Sequence, residues 1–367
     1  MQIMTTKFFL ILMLLYFVGT TFKYAQSVDE NVKVSKDGFY PVPVVFYLPN
    51  TGFAFGAAFL YYNNPDSGNV NRFPNILAGF GTYSTKKQIQ GSVRVNRYFG
   101  DNDYRFDLDI SYFRTPDEFW GIGSDPTIKV KEEVTYHQYR IKVDFISTVV
   151  KHFYIGPYYW FEKFAVAEYQ PGGIIETGNL LGALGVTTSG AGVEFVLDYR
   201  DSLFFPTQGT YGDLKILYYE KFLGSDVNFF RLDFDGRHYI SIAENQVLAF
   251  NTIFNSTAGD VPIQMLPKLG NQQMMRGYPT GKYLDKNLWA AQAEYRRMLF
   301  WRIGVSAFIG VGQVFPEIKK FSLKDLKIAS GVGLRYLLDK DQHLNVRLDV
   351  AQSSEGTYVY FTIQEAF

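Results

Sequence analysis

Asn228-Phe-Phe-Arg-Leu-Asp-Phe-Asp-Gly-Arg-His-Tyr-Ile-Ser-Ile242 separates into two faces when read with period two. Phe230, Leu232, Phe234, Gly236, His238, Ile240 and Ile242 fall on one face; Arg231, Asp233, Asp235, Arg237, Tyr239 and Ser241 fall on the other. Successive side chains of a strand point to opposite faces, so this stretch predicts a strand with one apolar and one charged side. Tyr104–Phe113 repeats the pattern, with Phe106, Leu108, Ile110 and Tyr112 against Arg105, Asp107, Asp109 and Ser111. Gln342–Ala351 repeats it again, with Leu344, Val346, Leu348 and Val350 against Asn345, Arg347 and Asp349. A soluble sandwich turns such an apolar face inward, whereas a transmembrane barrel turns it to lipid and keeps a polar lumen. The strands here are often ten or more residues long, against about five or six in soluble sheets, which favours the barrel. Aromatic residues at strand ends, as at Tyr61-Tyr62, Tyr158-Tyr159-Trp160, Trp289 and Phe300-Trp301, are the girdles a barrel needs.

Composition agrees. The 367 residues hold 27 Tyr, 34 Phe and 33 Gly, an excess over ordinary globular usage. With 36 basic and 36 acidic side chains there is no basic surplus to hold nucleic acid. The absence of cysteine excludes disulfide scaffolds, thiolate metal sites and thiol catalysis. Lys7 precedes an apolar run, Phe8 to Val18, that fits a secretory leader and is too short to span a bilayer as a helix. The expected organisation is a signal peptide over 1–25, a short periplasmic segment over 26–40 and an outer-membrane barrel over 41–367.

Fifteen strand segments are legible, from 52–62 to 357–367. With both termini expected in the periplasm the count must be even, and Val42–Tyr47 supplies the missing strand. Pro41, Pro43 and Pro49 flank or interrupt it, so it is expected to be short and to sit at a weakly paired seam. A sixteen-stranded antiparallel barrel then places 116–133, 170–184, 260–286 and 316–326 on the extracellular side. Phe367 shares its parity with Phe361 and Ile363 and resembles the terminal signal of bacterial outer-membrane barrels, with Glu365 interrupting the apolar set.

Three stretches ask for more than barrel physics. Leu197-Asp-Tyr-Arg-Asp-Ser-Leu-Phe-Phe-Pro-Thr-Gln-Gly-Thr-Tyr211 places Asp198, Arg200, Asp201, Pro206 and Gly209 at a strand–turn–strand, where the direct reading is a turn held by a salt bridge. Met275-Arg-Gly-Tyr-Pro279 lies in the longest loop, the sixth on its side, and Ala293-Glu-Tyr-Arg296 lies in the strand that follows. Alternation puts Glu294 on the polar face with Gln292, and Trp289, Ala291, Ala293 and Tyr295 on the lipid face. Arg335 points to the lumen and is compatible with ordinary pore lining.

Together these motifs resemble the BamA/TamA-like bacterial surface antigen superfamily, barrels that insert or secrete proteins at outer membranes. The resemblance implies that Arg276, Gly277 and Tyr278 form a loop folded back into the lumen, with Arg276 meeting Glu294 on the wall. That family often carries a second acid in an F-x-D-x-G strand. Here the stretch is Phe308-Ile-Gly-Val-Gly312, so Gly310 stands in its place and Glu294 is expected to bear more of the burden. Only 26–40 separate the leader from the barrel, too little for the periplasmic POTRA domains of the family's insertases.

No catalytic constellation is legible. His137 and His238 fall on apolar faces, His152 and His343 at turns, and none is paired by spacing with a nucleophile. No cofactor or metal is expected. The expected partners are outer-membrane lipid and other assembly subunits or client barrels. Two functions remain open: an accessory or specialised factor in outer-membrane protein insertion, and a passive channel or structural subunit that keeps the fold without that activity.

Overall fold

A computed structural model describes residues 37–48, 52–63, 74–100, 102–124, 131–339 and 343–367. The expected leader, most of segment 26–40 and most of the connection 63–74 lie outside the described residues. The strands are β1 (Asp37–Leu48), β2 (Gly52–Asn63), β3 (Asn75–Ser84), β4 (Ile89–Phe99), β5 (Tyr104–Phe119), β6 (Glu132–Val150), β7 (Phe153–Glu168), β8 (Gly185–Asp198), β9 (Gly209–Tyr219), β10 (Phe229–Ala243) and β11 (Gln246–Gly259). The short pair β12 (Lys268–Leu269) and β13 (Tyr283–Leu284) stands inside a loop. It is followed by β14 (Asn287–Phe300), β15 (Ile303–Phe315), β16 (Lys327–Asp339), β17 (Leu344–Ser353) and β18 (Gly356–Ile363).

Leaving aside β12 and β13, sixteen strands pair in chain order from β1 to β18. Every ladder between neighbours from β2 onward is antiparallel. The alternation holds across the wall. Ile110, Val193, Phe250, Ile309, Val332 and Val359 are exposed on the apolar face, while Asp107, Asp144, Glu194, Asp198, Arg231 and Glu294 are buried on the other. This is the inverse of a soluble sheet and the signature of a sixteen-stranded transmembrane barrel with a polar lumen. The connections 169–184, 260–286 and 316–326 lie on one side, the loop side, and the two-residue connections 151–152, 244–245 and 301–302 on the other, the turn side.

β1 and β18 are the two edges of the ladder order, and among the described residues no ladder joins them. Side chains bring these ends of the sheet together. Tyr40 of β1 and Tyr62 of β2 both donate to Asp339 of β16, and Leu60, Phe204 and Leu344 pack as one cluster with Ile76 and Ile363 beside it.

Three expectations need correction. The first strand is twelve residues, not six. Pro41 and Pro43 are two apart, so their missing N–H groups fall on one edge and leave the alternate residues to pair with β2. The connection expected over 116–133 is shorter, because β5 and β6 stay paired as far as Phe119 opposite Glu132. Finally, Phe361 is outward as expected, but the strand stops at Ile363 and Gln364 turns the chain at φ 71°. Phe367 is therefore inside the lumen, 5% exposed, instead of sharing the lipid face with Phe361 and Ile363.

Candidate functional site

The connection 260–286 enters the lumen and is held there first by apolar packing. Leu269, Met274, Met275, Tyr278 and Tyr283 join the lumen-facing Leu288, Ala290, Val314 and Ala329 in one cluster. Ile263, Met265 and Leu266 join another with Phe119, Tyr136, Trp160 and Tyr219. Met275 and Gly277 have φ of 55° and 109°, a tight reversal that projects the intervening Arg276 into the wall. The reversal is pinned to the last three strands. Gly277 N–H donates to Tyr360 Oη at 2.9 Å, Ser353 Oγ donates to Gly277 O at 2.5 Å, and Tyr278 Oη donates to Ile328 O at 3.1 Å.

The Arg276 guanidinium donates from Nη2 to Glu294 and from Nη1 to Asp349 Oδ2 at 2.6 Å, and lies 3.5 Å above the centre of the Phe308 ring. Glu294 Oε1 also accepts from Arg296 Nε at 3.0 Å and Arg335 Nη2 at 2.8 Å. Asp349 also accepts from Arg335 Nη1 at 2.6 Å and Arg347 Nη1 at 2.5 Å. Glu365 closes the network by accepting from Arg335 Nε at 2.9 Å and Asn345 Nδ2 at 3.0 Å. Phe367 O accepts from Arg296 Nη2 at 3.0 Å, and its ring lies against Tyr239 and the same guanidinium. Four guanidiniums thus share three carboxylates, and all seven side chains are at most 2% exposed. Charges so far from water persist only with such multiple pairing.

The resemblance implied that Arg276 meets Glu294, and the structure brings the two side chains together. It departs in giving Arg276 a second acid, so Glu294 does not bear the burden alone. Asp349 comes from β17, on the charged face that alternation marks, while Gly310 has another use. A Cβ there would stand 3.2 Å from Met275 Sδ, so the glycine accommodates the residue that precedes Arg276. Two other glycines clear the ground for the clasp. A Cβ at Gly331 would lie 2.4 Å from the Phe308 ring that floors Arg276, and one at Gly333 would lie 2.2 Å from Asp349 Oδ1. Arg335 is a bridge between all three acids rather than passive lining. Arg296, Arg347 and Glu365 were not anticipated as partners. Arg347 had its parity as a signal, and Glu365 had its intrusion into an apolar set.

The turn motif stands apart, at the connection from β8 to β9. Arg200 grips Asp198 through two nitrogens, Nε to Oδ1 at 2.9 Å and Nη2 to Oδ2 at 2.6 Å, beneath the Tyr211 ring. Asp201 accepts from Thr207 N at 2.9 Å, and Pro206 is buried. Gly209 has φ 110°, and a Cβ there would lie 2.0 Å from Tyr199 O. These contacts are those of a braced turn. The four histidines are scattered: His137 bonds to Tyr112, His152 to Asp198 O and His238 to Thr210, while His343 stacks on Phe205.

A model of the Omp85 superfamily domain matches residues 71–339. Solved structures similar to the chain include BamA from Haemophilus ducreyi lacking POTRA domains 1–3, at 12% identity and TM-score 0.53, covering 90% of this chain and 70% of that one. CdiB from Acinetobacter baumannii is similar at 10% identity and TM-score 0.56, and CdiB from Escherichia coli at 9% and 0.57. Each covers 90% of this chain, which spans 60% and 63% of their respective lengths. No curated protein sequence matches it.

Proposed function

We propose, from the premise that this chain belongs to the Omp85 superfamily of outer-membrane barrels, that it acts in the insertion or assembly of proteins at the outer membrane. The observation that carries this reading is the seam. β1 and β18 are sheet edges without a mutual ladder among the described residues, and β1 carries Pro41 and Pro43. Beyond β18 the chain leaves the wall at Gln364 for the lumen. Pro41 and Pro43 cannot donate from the β1 edge, which weakens closure against β18 and leaves the β18 edge as a template on which another strand can add. The lumen clasp keeps the loop plugged inside while the seam works, which speaks against a passive pore. The reading requires no catalytic step, cofactor or metal. Its partners are membrane lipid and the strands of client barrels.

The test is reconstitution of the full chain in liposomes with an unfolded outer-membrane barrel as client. Client folding should accelerate. Because the chain lacks cysteine, pairs introduced between 39–44 and 357–361 can lock the seam by oxidation. Acceleration should vanish on locking and return with reductant. Failure to accelerate, or acceleration indifferent to the lock, would leave the barrel a structural subunit. A large steady conductance in planar bilayers would instead make it a channel.

A further inference from the structure

The outer wall between β8 and β15 carries a row of small side chains in register. Gly212 stands opposite Gly236, Gly236 opposite Thr252, Thr252 opposite Ala291, and Ala291 opposite Val311. Alternation places all of them on the lipid face, and larger residues flank the row. On one side Phe195, Leu214 and Phe234 form a ridge; on the other stand Phe250 and Ile309. A depression of about 750 Å³, lined almost wholly by apolar atoms, lies along this row and opens sideways to the membrane. Four strand spacings make it about 19 Å long. On a wall tilted by about 40° such a furrow climbs about 12 Å along the membrane normal, close to the depth of one leaflet's hydrocarbon.

One polar feature marks its turn-side margin. Thr210 and His238 face each other across β9 and β10, with Thr210 Oγ1 2.9 Å from His238 Nδ1. A hydroxyl and an imidazole on a lipid-facing wall are costly unless their polar atoms find partners. With the Thr210 hydroxyl donating to Nδ1, the exposed imidazole keeps Nε2–H as a donor. An ester carbonyl or phosphate oxygen accepts such a hydrogen bond.

We propose that this furrow is a binding site for a glycerophospholipid of the turn-side leaflet, with one acyl chain along the small-residue row and the ester end at Thr210 and His238. The furrow is continuous with the lipid-facing band of the barrel, so hydrocarbon is what reaches it. The apolar lining matches a chain and the Thr–His pair matches the chain's polar end. The site lies on β9–β15, away from the edges β1 and β18, and stands independently of the insertion reading.

The test places the full chain in bilayers containing a phosphatidylethanolamine with a photoactivatable diazirine in its acyl chain, and maps adducts by peptide mass spectrometry. Adduct yield on the β9–β15 wall should exceed that on the β2–β4 wall, where Phe55 and Val93 are also lipid-exposed. The expected excess is about five-fold, equivalent to about 1 kcal/mol of preference. Gly212→Leu with Ala291→Leu fills the furrow and should bring the yield to that of the β2–β4 wall. At Gly212 the nearest atom to an added Cβ is Leu197 Cβ at 3.8 Å, so the substitution fits. Should the pair fail to fold, as read by heat-modifiable mobility, Ala293→Leu alone is the replacement. His238→Ala should lower the yield without filling the furrow. Even labelling of both walls, or labelling unchanged by filling, would mean that bulk lipid merely covers the depression and the site does not exist.

Discussion

Within the clasp the residues are unequal, and the imbalance of four guanidiniums over three carboxylates decides which matter most. Removing Arg276 leaves Glu294 with Arg296 and Arg335, and Asp349 with Arg335 and Arg347. Removing Glu294 strands Arg276, Arg296 and Arg335 around one carboxylate fewer. Breaking a buried pair costs about 3–5 kcal/mol when a charge is left without a partner. Glu294→Ala should therefore lower the midpoint of heat-modifiable mobility clearly more than Arg276→Ala, which costs about 1.5–3 kcal/mol as a lost charged hydrogen bond. The double variant should lose less than the sum, since the two share one interaction. Equal, additive losses would show that the loop is held by its apolar packing alone. At Gly333 the space for a Cβ is already taken by Asp349 Oδ1 and by Arg335 Nη1, 2.3 Å away. Gly333→Ala should accordingly release the loop to protease without altering strand content in circular dichroism.

At the scale of an element, the loop 260–286 has a second, shallower anchor. Lys282 Nζ and Tyr283 Oη both donate to Glu355 in the connection between β17 and β18. Burial alone would raise the Glu355 carboxyl, but the Lys282 and Tyr283 hydrogen bonds outweigh it and hold the group below its ordinary range. A depressed carboxyl contributes stability above its unfolded value of about 4.3 and loses it as pH falls through the lowered folded value. Protection of the amides over 279–285, taken relative to intrinsic exchange at each pH, should thus fall at low pH, and Glu355→Gln should remove most of that dependence. Asp285, raised by burial in the same loop, titrates with the opposite sign. The elements also show how far sequence carries. Period two located Glu294, Asp349 and Arg347 on the lumen face, because parity is local. It could not pair Asp349 with Arg276, 73 residues away, because that contact depends on where a loop tip lands. Parity also misled at Phe367, where the reversal at Gln364 ends the strand and with it the alternation. The prolines of β1 suggested a short strand only while their shared edge was ignored.

For the molecule as a whole, strength is unevenly spread around the wall. β5, β6 and β7 are sixteen, nineteen and sixteen residues long, whereas β18 has eight. Exchange should be slowest in β5–β7 and fastest in β1 and β18, where one edge lacks a ladder among the described residues. Asp339 receives Tyr40 and Tyr62 from across the seam. Asp339→Asn keeps its shape and removes its charge, and should widen that difference further. Uniform protection around the wall would indicate a seam as firm as any other ladder.

The tail at Glu365 to Phe367 also has a mechanical consequence. A barrel pulled from one end ordinarily gives way strand by strand, each ladder unzipping in turn. Here a load applied at Phe367 reaches Arg296 and Arg335 before it reaches the β17–β18 ladder, and those arginines tie β14, β16, β17 and the loop together. Under force the final five strands should hold and then release as one block, giving a single long extension where independent hairpins would give several short ones.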